Sequence, residues 1–231
     1  MFRKYNHNPW IKLLTYILLY FLLLAVTICY QFICEFGGAQ FTPTSLKTII
    51  DHWTPVNIYI MWPYIACLTY VPMSGLLFAF NRKISVVQLT SFYLSVIATY
   101  LLTYLIYIFF PTTASEVMLT NYNGNEHLFI NKGMFEHLQE MYKMSTPLGD
   151  FPSLHVAPLV ILGLFLYYHW KILFWIFLPL GFLGAIGTFV LKFHTFSGFI
   201  GGGIIGVIGY YFVYTKLIYN NLNRKKQQES V

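Results

Sequence analysis

The amino-acid sequence predicts an all-α integral membrane protein: a six-transmembrane-helix bundle with a long outer loop between spans three and four. Three observations predict it. Only 10% of the 231 residues are charged and 57% are hydrophobic, whereas a water-soluble domain needs roughly 25% charged residues to cover its surface. Six stretches of about 20 residues carry no Asp, Glu, Lys or Arg, enough to cross a hydrocarbon core of about 30 Å as helices. The basic residues, finally, collect on one side of those stretches.

In chain order, the first span is Leu13 to Ile33, preceded by Arg3 and Lys4. It is too long for a cleaved signal and no small-x-small site follows, so it reads as a retained anchor. The second lies within Pro55 to Phe80 and the third within Ile84 to Phe110. The fourth runs from about Phe151 to Trp170, the fifth from Ile172 to Leu191 and the sixth from about Thr195 to Thr215. The segment from about Pro111 to Asp150, with its polar run NYNGNEH, is too long for a connector and is a candidate lid or binding loop. Glycines clustered at 201, 202, 203, 206 and 209 point to close helix packing in span six. The whole chain, 1–231, reads as one membrane domain with a basic cytoplasmic tail at about 220–231.

An even number of spans puts both termini on one side. With the termini in the cytoplasm, the inner side holds Arg3, Lys4, Lys12, Arg82, Lys83, Lys171, Lys216, Arg224, Lys225 and Lys226. The outer side keeps Lys47, Lys132, Lys143 and Lys192, with every acidic residue except Glu229. This is the positive-inside pattern. The net charge of +6 is therefore a topology signal, and no nucleic-acid partner is expected. Cys29, Cys34 and Cys67 lie in or beside apolar runs without metal-ligand spacing, so neither a metal nor another cofactor is expected.

That topology brings three polar segments to the outer face: FFPTTAS (Phe109 to Ser115), GDFPSLHVA (Gly149 to Ala157) and GTFVLKFHTFSGFIGG (Gly187 to Gly202). Pro152 and Ser153 have the pattern of a helix start, which places His155 in the first turn of span four, where free amides favour an anion. His194 follows Lys192 at the outer end of span five. Lys192 shares a face with His194 only if that stretch is not helical. Ionisable groups at such positions are functional candidates. Two histidines titrating near 6.5 suit nucleophilic attack on phosphorus by one and proton donation to the leaving alkoxide by the other.

At these residues the sequence resembles the type 2 phosphatidic acid phosphatase superfamily, and most of all its inositol phosphorylceramide synthase-like branch. FPSLHVA is similar to that branch's second motif, GTFVLKFH followed by GFIGG to its third, and FPTTA in part to its first. The resemblance spans roughly Phe109 to Gly202, with a phosphatase-like core of about 85–219. It implies metal-independent transfer through a phosphohistidine, with His194 as nucleophile, His155 as general acid, and Ser153 and Lys192 on the phosphate. The implied substrates are lipid phosphates, polyprenyl phosphates or phospholipid headgroups. The chain departs from the family's pattern: where the third motif has an Asp four residues after the nucleophile it has Gly198, and the arginines of the phosphatase branches and the prolines that follow the first motif are absent. Ser197, a backbone carbonyl or Asp150 are left to hold the imidazole. Losing such a carboxylate costs about 10⁴ in rate in a Ser-His-Asp system. Gly198 and the missing arginines motivate a second expectation, a degenerate relative that binds lipid or a partner protein without turnover. A transporter or assembly factor is the third.

Overall fold

The computed structural model describes residues 8–114, 132–144 and 148–220. The NYNGNEH run, Ser115 and the basic C-terminal tail lie outside them. Pro9–Ile28 (α1) starts under Asn8, whose side chain caps two amides, and is followed by Tyr30–Gln40 (α2). A short helix, Ile49–Trp53 (α3), precedes Met61–Phe80 (α4) and Val86–Phe109 (α5). Lys132–Met144 (α6) occupies part of the segment expected as a loop. Val156–His169 (α7), Lys171–Val190 (α8) and Phe196–Ile208 (α9) complete the bundle, and α9 continues as a π-helical stretch over Gly209–Tyr219.

Five of these helical stretches are long and apolar enough to cross a membrane: Pro9–Gln40, Met61–Phe80, Val86–Phe109, Lys171–Val190 and Phe196–Lys216. The expected fourth span is shorter than the sequence suggested. Its helix has 14 residues, about 21 Å at 1.5 Å per residue. The first residues of the apolar run, Phe151 to Leu154, are spent on a turn that leads into the helix.

Aromatic packing closes one end of the bundle. Phe78, Phe92 and Phe165 are fully buried, with ring centroids 4.8–5.5 Å apart. Beside them Lys12 is buried and donates to the carbonyls of Phe78, Asn81 and Ile84, the last groups of α4 and the turn after it. A cation at a helix C-terminus satisfies carbonyls that have no helical donor. His169 joins Gln88 of α5 to Tyr214 of the π-helical stretch, 3.0 Å on each side. The opposite end holds the polar motifs.

What sets the depth and spacing of those motifs is the approach of α9 to α7. A Cβ on Gly206 would stand 2.6 Å from the Ala157 carbonyl oxygen, and one on Gly202 2.6 Å from that of Ser153. Both contacts are with backbone, so neither neighbour can rotate away. Gly203, on the other side of α9, faces open space. Gly206→Val should therefore destabilise the detergent-purified protein by about 1–3 kcal/mol or more, read as a fall in thermal midpoint, while Gly203→Ala leaves the midpoint unchanged or raises it.

Candidate active site

The site is built from the turn that precedes α7 and the turn that links α8 to α9. A parallel pair of short strands, Thr44–Ser45 (β1) and Thr112–Thr113 (β2), lies beneath the first turn. The Thr112 carbonyl accepts from the Gly149 amide at 2.9 Å, and its hydroxyl oxygen accepts from the Phe151 amide at 2.7 Å. Tyr107 of α5 donates to the Pro152 carbonyl at 2.6 Å. FPTTA thus serves as a floor for GDFPS, and the three polar segments do meet.

His155 and His194 are in direct contact: Nδ1 of His155 lies 2.8 Å from Nε2 of His194. The remaining partners fix the tautomers. His194 Nδ1 lies 2.9 Å from the Asp150 carbonyl oxygen, which can only accept, so the proton is on Nδ1 and Nε2 carries a lone pair. His155 must then donate from Nδ1, and its Nε2 accepts from the Tyr64 hydroxyl at 3.3 Å. Donation runs from Tyr64 to His155, from His155 to His194, and from His194 to the Asp150 carbonyl. Burial, and secondarily the adjacent His194, push the His155 imidazole down to about 3, so in the free protein it is neutral.

Asp150 fills the space beside Gly198. A Cβ on Gly198 would be 2.4 Å from the Asp150 carbonyl oxygen and 2.7 Å from its Oδ1. Oδ1 lies 3.6 Å from His194 Nδ1. The carboxylate is itself held at 2.7 Å by the Thr195 amide and at 2.6 Å by the Thr195 hydroxyl. Gly198 is thus what makes room for an acid delivered from the other side. Of the three substitutes expected from sequence, the backbone carbonyl and Asp150 coincide in one residue. Ser197 is not the imidazole's partner: its hydroxyl donates to the Leu46 carbonyl at 2.8 Å and meets the Thr195 hydroxyl.

Ser153 is fully buried, and its hydroxyl is one of the buried side-chain groups without a hydrogen-bond partner among the described residues. Its amide donates to the Gly198 carbonyl, tying the two turns together. Lys192 is placed differently from the expectation of a phosphate contact. It is buried in a left-handed conformation, φ 62°, and its ammonium donates to the Asp51 carbonyl at 2.6 Å. Desolvation lowers its pKa, partly offset by Asp51. The segment is non-helical there, as a contribution beside His194 requires, but this hydrogen bond points to α3.

Two residues escaped the sequence reading. Tyr64 sits in an otherwise featureless apolar span, where nothing marks it. Asp51 carried a legible signal, the capping box Thr48-x-x-Asp51. In the structure Asp51 also accepts from the Phe196 amide at 2.6 Å, at the start of α9. Helix α6 lies over the same turn: Leu138 is buried against Tyr64, Met61 and Leu191, and the Tyr142 hydroxyl donates to the Leu191 carbonyl.

The PAP2 superfamily profile matches residues 40–212. The chain belongs to the PAP2 superfamily. A search of curated proteins and one of solved structures returned no match. Membership brings with it phosphatase-type activity on lipid phosphates in general.

Two outcomes follow from the geometry. The His155 ring should stay neutral in the free protein down to pH 5 when followed by NMR of labelled imidazoles; a ring titrating at its ordinary value near 6.5 contradicts the arrangement. Gly198→Asp, which would restore the family's residue, should lower activity and stability. Pairing it with Asp150→Gly should recover part of the loss.

Proposed function

We propose that the chain is a membrane lipid-phosphate phosphatase or headgroup phosphotransferase working through a phosphohistidine on His194. The observation that carries this reading is the 2.8 Å contact between His155 and His194, with the His194 lone pair turned toward the other imidazole. Phosphorus would take the position on Nε2 that the His155 N–H holds, so binding replaces that hydrogen bond.

In the first step the His194 Nε2 lone pair forms a P–N bond while the ester P–O bond breaks, and the departing alkoxide takes a proton from His155. His155 must be an imidazolium to do so. A phosphate dianion beside it favours the charged ring, and a phosphate monoester, titrating near 6, arrives with a proton of its own. Tyr64 accommodates the change, since a hydroxyl that donated to Nε2 can turn and accept from Nε2–H. In the second step water or a lipid hydroxyl attacks phosphorus, His155 takes the proton back, and the P–N bond breaks.

The other residues divide the remaining work. The Asp150 carbonyl holds the His194 tautomer, and its carboxylate stabilises the positive charge that His194 gains as the P–N bond forms. The Ser153 hydroxyl, which has no hydrogen-bond partner among the described residues, and the positive end of the α7 dipole suit the phosphoryl oxygens. Lys192 acts here as a positioning residue, tethering the His194 turn to α3. The charge distribution supports cytoplasmic termini and a site at the outer, exoplasmic membrane face, supplied with lipid or polyprenyl phosphates from the bilayer. Asp150 beside His194 supports turnover over the alternative of a degenerate, binding-only chain.

Protein in detergent should release phosphate from lipid phosphates in EDTA, and His194→Ala should lower that rate by at least about 10⁴; equal rates in mutant and wild type sink the reading. His155→Ala should cost about 10²–10⁴ on alkyl phosphates, but far less on an aryl phosphate whose leaving group needs no proton. Ser153→Ala should weaken phosphate binding by about 1–1.5 kcal/mol, roughly tenfold, without destabilising the fold. Unchanged binding would remove Ser153 from the phosphate site.

A further inference from the structure

A groove of about 320 Å³ ends on His155. Its walls come from α1, α4 and α5, where Leu23, Val71 and Tyr104 are buried. Its outer rim carries Leu24, 39% exposed, and Leu68, 45% exposed, on the lipid-facing sides of α1 and α4. The groove therefore runs from the bilayer to the imidazole assigned above to the leaving group. A larger groove of about 680 Å³ lies between α7, α8 and α9, but neither His155 nor His194 lines it.

We infer that the groove holds the aliphatic chain of the departing alcohol, and that the substrate is the phosphate monoester of a single-chain lipid alcohol. The argument rests on the reading of His155 as the acid. The alkoxide that takes its proton must leave on the His155 side, and this apolar groove reaches that ring. Its volume sets the number of chains. A methylene fills about the ~30 Å³ that a water occupies in the liquid, so the groove takes about ten chain carbons, with the rest of a longer chain emerging past Leu24 and Leu68 into lipid. The two chains of a diacyl lipid need twice that room beside the same ring. Alkyl and isoprenoid chains meet the same apolar walls, so the chemistry shared by both is assigned.

The test uses the full chain in phosphatidylcholine nanodiscs. Initial rates are measured on butyl, decyl and farnesyl phosphates and on a diacyl phosphatidate. The value of kcat/KM should rise at least tenfold from butyl to decyl, and both single-chain lipids should exceed the phosphatidate at least tenfold. Comparison of decyl with farnesyl separates straight from branched chains. Val71→Trp, which fills the groove, should abolish the gain from butyl to decyl, whereas Ile204→Trp in the larger groove should retain it. A flat chain-length profile, or a phosphatidate rate equal to or above the others, overturns the inference. A decyl phosphate carrying a photoreactive diazirine gives a readout without turnover. Labelling of α1 and α4 peptides, resisted by excess decyl phosphate and not by phosphatidate, supports the groove even if no ester is hydrolysed, in which case the phosphohistidine reading alone fails. Labelling confined to α8 and α9 overturns the groove and leaves that reading standing.

Discussion

The structure of the site depends on Asp150. Its carbonyl accepts the His194 Nδ1 proton at 2.9 Å, and its carboxylate accepts the amide and hydroxyl of Thr195 at 2.7 and 2.6 Å. One residue therefore sets the tautomer of one imidazole, the protonation pattern of the next, and the start of α9. Because the carboxylate is fully hydrogen-bonded, its burial is affordable where an unpaired charge would not be. The close approach of α9 to α7 makes these contacts possible, since the Asp150 atoms lie where any side chain at position 198 would begin.

The two helix N-termini at this end serve opposite purposes. At α9 the amides of Thr195, Phe196 and Gly198 are taken by Asp150, Asp51 and Thr195 respectively. Two carboxylates there already satisfy the positive end of the helix dipole. Helix α7 begins with no side-chain cap bond on His155, and the buried Ser153 hydroxyl stands beside it without a protein partner. An anion therefore has reason to bind at the start of α7 and not at α9. The Lys192 tether to the Asp51 carbonyl and the Ser197 bond to Leu46 hold the His194 turn against the strand-and-helix segment at 44–53. That segment lies far upstream of the motifs, yet it determines where the nucleophile stands.

Much of this was legible in the sequence because lipid imposes strong rules. Charge-free runs give helices, and the placement of lysine and arginine separates the two ends, so His155 and His194 could be put at one depth before any coordinates. The helix bounds agree closely for the third and fifth spans, Val86–Phe109 and Lys171–Val190. They agree less for the fourth, because an apolar run does not reveal that its first residues form a turn. Asp51 left a trace in its capping box, but its second role needs Phe196, 145 positions away. Tyr64 left none, since one tyrosine among 19 in an aromatic-rich chain carries no pattern. Lys192 shows the limit most clearly: the resemblance implied a phosphate contact, while its hydrogen bond to the Asp51 carbonyl, 141 positions away, left no mark in the sequence.

The most direct measurement is to trap the covalent intermediate. Wild-type protein is mixed for milliseconds with a ³²P-labelled single-chain lipid phosphate, quenched in alkali, where phosphohistidine survives, and digested for mass spectrometry. The account predicts a phosphoryl group on Nε2 of His194, formed and lost at rates compatible with turnover and accumulating when His155 is replaced by alanine and an aryl phosphate is the donor. Turnover without any labelled histidine, or a label on a residue other than His194, would contradict it.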